Sequence, residues 1–142
     1  FALGFAFGVP TVLLMLYNGC ILGAFVAVYA AKGLQWEFAA WLAIHGTTEL
    51  LAIAIAGAAG MRIGMATAFP GRATRMASAI GAGRVSAFAV LGVVVMLAVA
   101  GVLEGVGRQA INDDFLRASI GAAALLGWLG YFYLRRGSDA DA

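Results

Sequence analysis

Apolar residues run through this chain in long blocks, and polar residues are gathered into short connections between them. The first block covers residues 1–31 and is interrupted by the sequence Gly-Val-Pro-Thr at 8–11. Proline lacks the backbone N–H that a helix interior needs. We therefore expect residues 1–7 to end a helix that begins upstream, followed by a turn and a helix over about 12–31. The alternative is one long helix that is kinked at Pro10.

The second apolar block, residues 38 to about 66, carries a histidine and a glutamate four residues apart. Glycine lowers helix propensity, and the sequence Thr-Thr-Glu at 47–49 resembles a helix N-cap with an acid in the first turn. We therefore predict a broken or re-entrant element. It consists of a short helix over about 36–44, an interruption at His45-Gly46, and a helix over about 47–66.

Two more apolar stretches, 85–107 and 118–134, complete the pattern. About 20 apolar residues cross the hydrocarbon core of a bilayer as a helix, so the chain has room for four or five spans. The predicted fold class is an all-α, polytopic transmembrane helix bundle. We assign residues 1–136 to this membrane domain and residues 137–142 to a disordered cytoplasmic tail.

The composition is that of a membrane protein, and the lipid bilayer is therefore an expected partner. Of the 142 residues, 63% are hydrophobic and only 11% are charged, and the mean hydropathy is +0.96. A water-soluble domain carries about a quarter charged residues. The net charge of +2 is too small to predict a nucleic-acid partner. The usual catalytic and phosphate-binding motifs are missing from the sequence, so we predict neither an enzyme nor a cofactor.

The distribution of arginine predicts the orientation in the membrane. The connection 69–84 contains Arg72, Arg75 and Arg84 and no acid, and the last span ends at Arg135-Arg136. Loops rich in arginine and lysine stay in the cytoplasm. The protein is therefore predicted to lie in the inner (plasma) membrane as a multi-pass protein with a cytoplasmic C-terminus.

Four polar residues at membrane depth require an explanation: Asn18, His45, Glu49 and Glu104. A carboxylate in lipid is costly unless it is protonated, paired or turned to a wet interior. On a continuous helix, His45 and Glu49 share one face, and Glu104 falls in the same half of the membrane. The three could therefore form a polar cluster. Their spacing matches no recognised metal motif, which leaves metal binding open.

Simpler roles for the same residues are equally open. Glu49 could cap the predicted helix start while His45 donates a hydrogen bond to a carbonyl. Glu104 could pair with Arg108, four residues later on the same helix. Asn18 is expected to need an interhelical hydrogen-bond partner.

Glycines recur at four-residue spacing and predict close helix packing. Small residues at this spacing let helix backbones approach in a bilayer, where hydrophobic burial provides little drive for association. We expect them to form helix-packing contacts or an oligomer interface, with a homodimer favoured. The candidates are Gly19, Gly23, Gly57, Gly60, Gly64, Gly101 and Gly105.

Three sequence blocks, NGCILGAF, HGTTELLAIAIAGAAGMRIG and AGVLEGVGRQ, resemble the stage II sporulation protein M family of integral membrane proteins. The resemblance covers about residues 1–134, and HGxxEL is its most specific part. Members usually carry more N-terminal sequence, so this chain looks like their membrane core. The resemblance places these residues on motif positions: Asn18, His45, Gly46, Glu49, Gly57, Gly60, Glu104 and Gly105.

The resemblance implies a membrane scaffold that recruits peptidoglycan hydrolases or other membrane proteins, docked on its loops or on the preceding N-terminal region. The alternative is a small cation or proton transporter or channel that uses His45, Glu49 and Glu104. We favour the scaffold, because no inverted repeat is visible in the sequence.

Overall fold

The residues described by the structure form helices and turns. A computed structural model of the chain describes residues 1–138, and for Arg108 and residues 134–138 it describes the backbone alone. A 3₁₀-helix, Ala2–Phe5, precedes α1 (Val9–Ala31), α2 (Gln35–Ala68) and α3 (Arg75–Val102). A π-helical segment (Leu103–Gly107), α4 (Arg108–Ala110) and α5 (Asp114–Ser138) follow.

Within these described residues, four helices are long and apolar enough to cross a membrane: Val9–Ala31, Gln35–Ala68, Arg75–Gly107 and Asp114–Tyr133. The described chain contains no β-strand. The predicted fold class, an all-α transmembrane helix bundle, is confirmed. The 34 residues of α2 extend about 51 Å. Because the hydrocarbon core is about 30 Å thick, α2 must tilt or project beyond it.

The predicted break at His45-Gly46 is wrong, because α2 is continuous through both residues. Gly46 is buried, and the side chain of Leu42 lies over it, 2.8 Å from where a Cβ would stand. Gly46 therefore leaves room for the Leu42 side chain and does not interrupt the helix. Thr47 does not cap a helix start, since its hydroxyl donates to the carbonyl of Ala43 one turn earlier. A break would also have left backbone groups without partners, which is costly in a bilayer.

The first apolar block begins with a turn, and α1 starts at Val9 with Pro10 in its first turn, where a missing N–H costs nothing. The alternative of one long kinked helix is wrong, because Phe7 and Gly8 have φ angles of +57° and +76° that interrupt the helix. For glycine this backbone conformation is free of strain. For Phe7 it costs roughly 1–2 kcal/mol, so the surrounding contacts must hold it.

The ends of α1 and α2 are set by local sequence. The amides of Gly33 and Leu34 donate to the carbonyls of Ala30 and Tyr29, and Gly33 has φ +72°. This is a Schellman motif, which ends α1 at Ala31 and leaves three residues before α2 begins at Gln35. After α2, Gly71 has φ +63° and forms the turn that the Pro-Gly sequence predicts.

Two helices exceed their predicted bounds. The third starts at Arg75 instead of about residue 85, and the Thr74 hydroxyl caps this start by accepting a hydrogen bond from the Ala77 amide at 3.2 Å. The last helix begins at Asp114, where the Asp113 carboxylate accepts a hydrogen bond from the Leu116 amide at 2.7 Å. Its backbone continues through Ser138, and the rest of the predicted tail, residues 139–142, lies outside the described residues.

The chain divides into two compact units. The first consists of Phe1–Val28 and Leu51–Met96, and the second of Tyr29–Leu50 and Leu97–Ala142. The first unit therefore contains most of α1, the C-terminal half of α2 and most of α3. The second unit contains the N-terminal half of α2, including the HGxxEL motif, together with the π-helical segment and α5.

Candidate functional site

The HGxxEL motif lies in the second unit, and it presents one face of α2 to α5. We call Ile44, His45 and Thr48 the motif face, because all three are buried, with exposed fractions of 1%, 4% and 0%. The indole Nε1–H of Trp128 on α5 donates to the Thr48 hydroxyl oxygen at 3.1 Å. This hydrogen bond joins the motif directly to α5.

A second contact brings the two backbones together one turn earlier on α2. A Cβ on Gly121 would collide with the backbone of Ala43, and 2.6 Å would separate it from the Ala43 carbonyl carbon. The Thr47 hydroxyl lies 3.2 Å from the Gly121 carbonyl oxygen and 3.3 Å from that of Ala43. Small residues at both positions therefore allow helix contact with a hydrogen bond across it.

His45 occupies a largely apolar environment on this face. Its ring meets the Trp41 ring edge to face, with 5.7 Å between centroids and an interplanar angle of 89°. Nδ1 of His45 is buried and has no hydrogen-bond partner. Nδ1 therefore does not make the hydrogen bond to a carbonyl that the sequence leaves open for His45.

Glu49 is half-buried one turn beyond His45, on the same side of the continuous helix. The two side chains thus share a face, as the spacing predicts, but Nδ1 of His45 does not bond to the Glu49 carboxylate. The predicted role of Glu49 as a cap is excluded, because α2 starts at Gln35 and has Glu37 in its first turn.

Glu104 lies in the π-helical segment, which the sequence analysis missed. π-Helical turns are rare and occur frequently at functional sites. Glu104 lines a shallow pocket of about 310 Å³ with Gly101, Gly105 and Gln109. A Cβ on either glycine would meet nothing within 4 Å. The predicted partner of Glu104, the side chain of Arg108, lies outside the described residues.

The described residues contain no group of three or more His, Cys, Asp or Glu side chains that could hold a metal ion. Asn18 belongs to the first unit, whereas the other three candidate polar residues belong to the second. The Asn18 side chain is exposed, and its amide donates to the Leu14 carbonyl of its own helix at 2.8 Å. The expected interhelical bond is replaced by this local one.

In the first unit, several candidate glycines lie in close contact with neighbouring residues. A Cβ on Gly64 would lie 2.5 Å from both the amide nitrogen and the Cα of Gly8. A Cβ on Gly60 would lie 2.8 Å from the Thr11 hydroxyl oxygen, and a Cβ on Gly57 would lie 2.7 Å from the Met15 sulfur. The start of α1 therefore packs directly against the C-terminal half of α2.

The remaining candidate glycines have open space where a Cβ would be. They are Gly19, Gly23, Gly101 and Gly105. Beyond residue 15, α1 presents exposed side chains except at Leu22, which is half-buried. These positions are free to meet lipid or another protein.

Sequence reasoning also missed Gly121 and Trp128. Gly121 carried the same small-residue signal as the many other glycines, and Trp128 is one of three tryptophans in the chain. Nothing local distinguished them, because their importance depends on which residues of α2 lie opposite.

Comparison with known protein families identifies the chain by its sequence. The sequence model of the family described as SpoIIM, Stage II sporulation protein M, matches residues 1–107. A search of curated proteins and a search of solved structures gave no significant match. The matched region includes His45, Glu49 and Glu104 and ends before α5. Because it covers 107 of 142 residues, the chain belongs to the stage II sporulation protein M family.

Proposed function

We propose that the protein is a non-enzymatic membrane scaffold, an assembly subunit that recruits partner proteins such as cell-wall remodelling factors. Membership of the sporulation protein M family supports a membrane protein of this class. The main support for the proposal is that the residues of the motif face are buried in contacts within the protein. Thr48 bonds to Trp128, and Ile44 is almost fully buried. A scaffold needs such a fixed arrangement to hold its docking surfaces in place.

The alternative of a cation or proton transporter has less support. A conduction path requires several polar or ionisable groups along a wet route. Nδ1 of His45 is instead buried without a partner, and its ring packs on Trp41. Among the described residues, there is also no group of three or more His, Cys, Asp or Glu side chains that could hold a metal ion.

The orientation belongs to the same proposal. We place the connection between α2 and α3 in the cytoplasm, because Arg72 lies in it and Arg75 begins α3, without a neighbouring acid. An even number of spans separates this connection from the C-terminus, which is therefore cytoplasmic too. Recruited cell-wall factors would then contact the opposite face, at the connections that follow α1 and α3.

Purification from the native membrane tests the scaffold. The full chain, cross-linked in cells, is expected to enrich peptidoglycan-remodelling enzymes over a control multi-pass protein of similar abundance. In liposomes, the same protein is expected to give proton and cation fluxes equal to those of empty vesicles, with or without Glu49→Gln or Glu104→Gln. A flux that either variant abolishes while the protein still folds, together with no enrichment, would reverse the conclusion.

We also propose that the scaffold is a homodimer that packs through the exposed part of α1. Gly19 and Gly23 are four residues apart, and a Cβ on either would meet nothing within 4 Å, so a second helix backbone could approach them. Cys20 is exposed beside them and is the sole cysteine of the chain. A symmetric contact at this point would bring the two Cys20 thiols close together.

Oxidation in membranes tests the dimer. The parent protein is expected to form a disulfide-linked dimer through Cys20, and Cys20→Ser is expected to remove it. Gly23→Leu should lower the cross-linked fraction several-fold, because a large side chain separates the helices. Gly92→Leu is the matched control, since Gly92 also has open space around it but lies on α3. Equal cross-linking in both glycine variants would contradict a dimer through α1.

A further inference from the structure

All charged side chains of the first unit are positive. They are the arginines Arg62, Arg72, Arg75 and Arg84, and residues 1–28 and 51–96 contain no aspartate or glutamate. All four arginines are exposed. The unit therefore offers no carboxylate of its own to neutralise them, and an anion is the complementary ligand.

The same unit has an apolar groove between the start of α1 and the C-terminal half of α2. Phe7, Val12, Leu13, Met61 and Met65 line it, and its volume is about 290 Å³. Each of these side chains is between 43% and 61% exposed. In a helix that crosses a bilayer, such a groove is filled by something apolar, and its apolar lining suits a hydrocarbon chain.

Arg75 connects the charged region to the groove. Its guanidinium carbon lies 5.6 Å from the centroid of the Phe7 ring, a distance at which a cation is attracted to an aromatic face. Phe7 is also one of the residues that line the groove. The guanidinium of Arg75 therefore lies beside the apolar groove.

Phe7 reaches this position through an unusual backbone conformation. Its φ of +57° is the only positive φ of a non-glycine residue in the described chain. A residue held in such a conformation needs support from its surroundings, and strain of this kind is found at binding sites. Here the support comes from Gly8 and Gly64, whose backbones are in close contact.

We propose that the first unit binds an anionic phospholipid, with its phosphate on Arg75 and one acyl chain in the groove. A guanidinium donates two parallel hydrogen bonds to phosphate oxygens, which a single point charge cannot do. An apolar groove beside it selects a lipid over a free phosphate ion. Basic sites between transmembrane helices are known to bind anionic head groups. The proposal needs a membrane location only and is independent of the scaffold role.

The test compares lipid binding in two arginine variants. The full chain is reconstituted in phosphatidylcholine nanodiscs that contain increasing phosphatidylglycerol, and bound lipid is counted by native mass spectrometry. Phosphatidylglycerol is expected to bind the parent protein at least fivefold more tightly than phosphatidylcholine. Arg75→Gln should reduce this preference about fivefold, since one arginine near anionic lipid contributes about that much. Arg84→Gln is the control, because it removes an exposed charge from the same helix.

Three outcomes would overturn the site: no preference for phosphatidylglycerol in the parent protein, equal losses in both variants, or complete displacement of the lipid by millimolar inorganic phosphate. Met65→Trp adds an independent measurement, because it fills the groove without changing charge. It is expected to reduce lipid binding several-fold while the thermal unfolding temperature in phosphatidylcholine stays close to that of the parent. Failure of Arg75→Gln to fold would leave the Met65→Trp result and the parent's lipid preference to decide.

Discussion

Replacing Gly64 with alanine is expected to lower the free energy of unfolding of the first unit by about 2–3 kcal/mol. The new Cβ would stand 2.5 Å from the amide nitrogen and the Cα of Gly8. Both atoms belong to backbone, so they cannot turn away as a side chain can. Gly8 itself is fixed by its φ of +76°. The measurement is reversible unfolding in mixed micelles, followed by circular dichroism.

Two controls separate a collision from an effect of helix propensity. Gly92→Ala has open space around its Cβ and should be neutral or stabilising by up to about 1 kcal/mol, because alanine favours helix. Gly57→Ala should fall between the two, since its Cβ would meet the flexible Met15 side chain. If Gly64→Ala were as stable as Gly92→Ala, the close approach of α1 and α2 would be incorrect.

The second large effect is expected in the second unit, where Gly121→Ala should cost about 2–3 kcal/mol. Its Cβ would collide with the backbone of Ala43 and force α5 away from α2. The displacement would also break the hydrogen bond between Thr47 and the Gly121 carbonyl. Hydrogen exchange of the α5 amides is the direct measurement, and we expect faster exchange along α5 than in the parent protein.

Gly127→Ala is the matched control on the same helix, because nothing lies within 4 Å of its Cβ. A double-mutant cycle measures the neighbouring contact. Thr48→Val and Trp128→Phe each remove one partner of their hydrogen bond, and the coupling between them should be about 0.6–1.7 kcal/mol. A coupling of zero, or equal exchange in Gly121→Ala and Gly127→Ala, would show that α5 does not pack on the motif face.

The HGxxEL motif shows where local reasoning fails. Gly46 and Thr47 have low helix propensity, and the sequence predicted a break there. In the structure, Leu42 covers Gly46 and the Thr47 hydroxyl bonds to carbonyls of α2 and α5. Tertiary packing outweighed a propensity difference of about 1 kcal/mol. It also kept backbone hydrogen bonds that a bilayer would not replace.

The sequence by itself determined the features that depend on a few neighbouring residues or on composition. The apolar blocks gave the membrane class and the spans, the motifs gave the family, and the Pro-Gly pair at 70–71 gave a turn. These are local properties, because the length of an apolar run and the backbone freedom of a glycine are fixed without reference to the rest of the fold.

Only the tertiary structure decided which small residues form contacts. Gly60 and Gly64 have the same spacing as Gly101 and Gly105, yet the first pair packs against α1 and the residues just before it, and the second has open space where a Cβ would be. The spacing of small residues indicates that a helix has a flat side, but it does not indicate which part of the protein packs against that side. The same holds for Trp128, which bonds to Thr48 across 80 residues of sequence. Such contacts depend on how helices distant in sequence meet, and no short stretch of the chain contains that information.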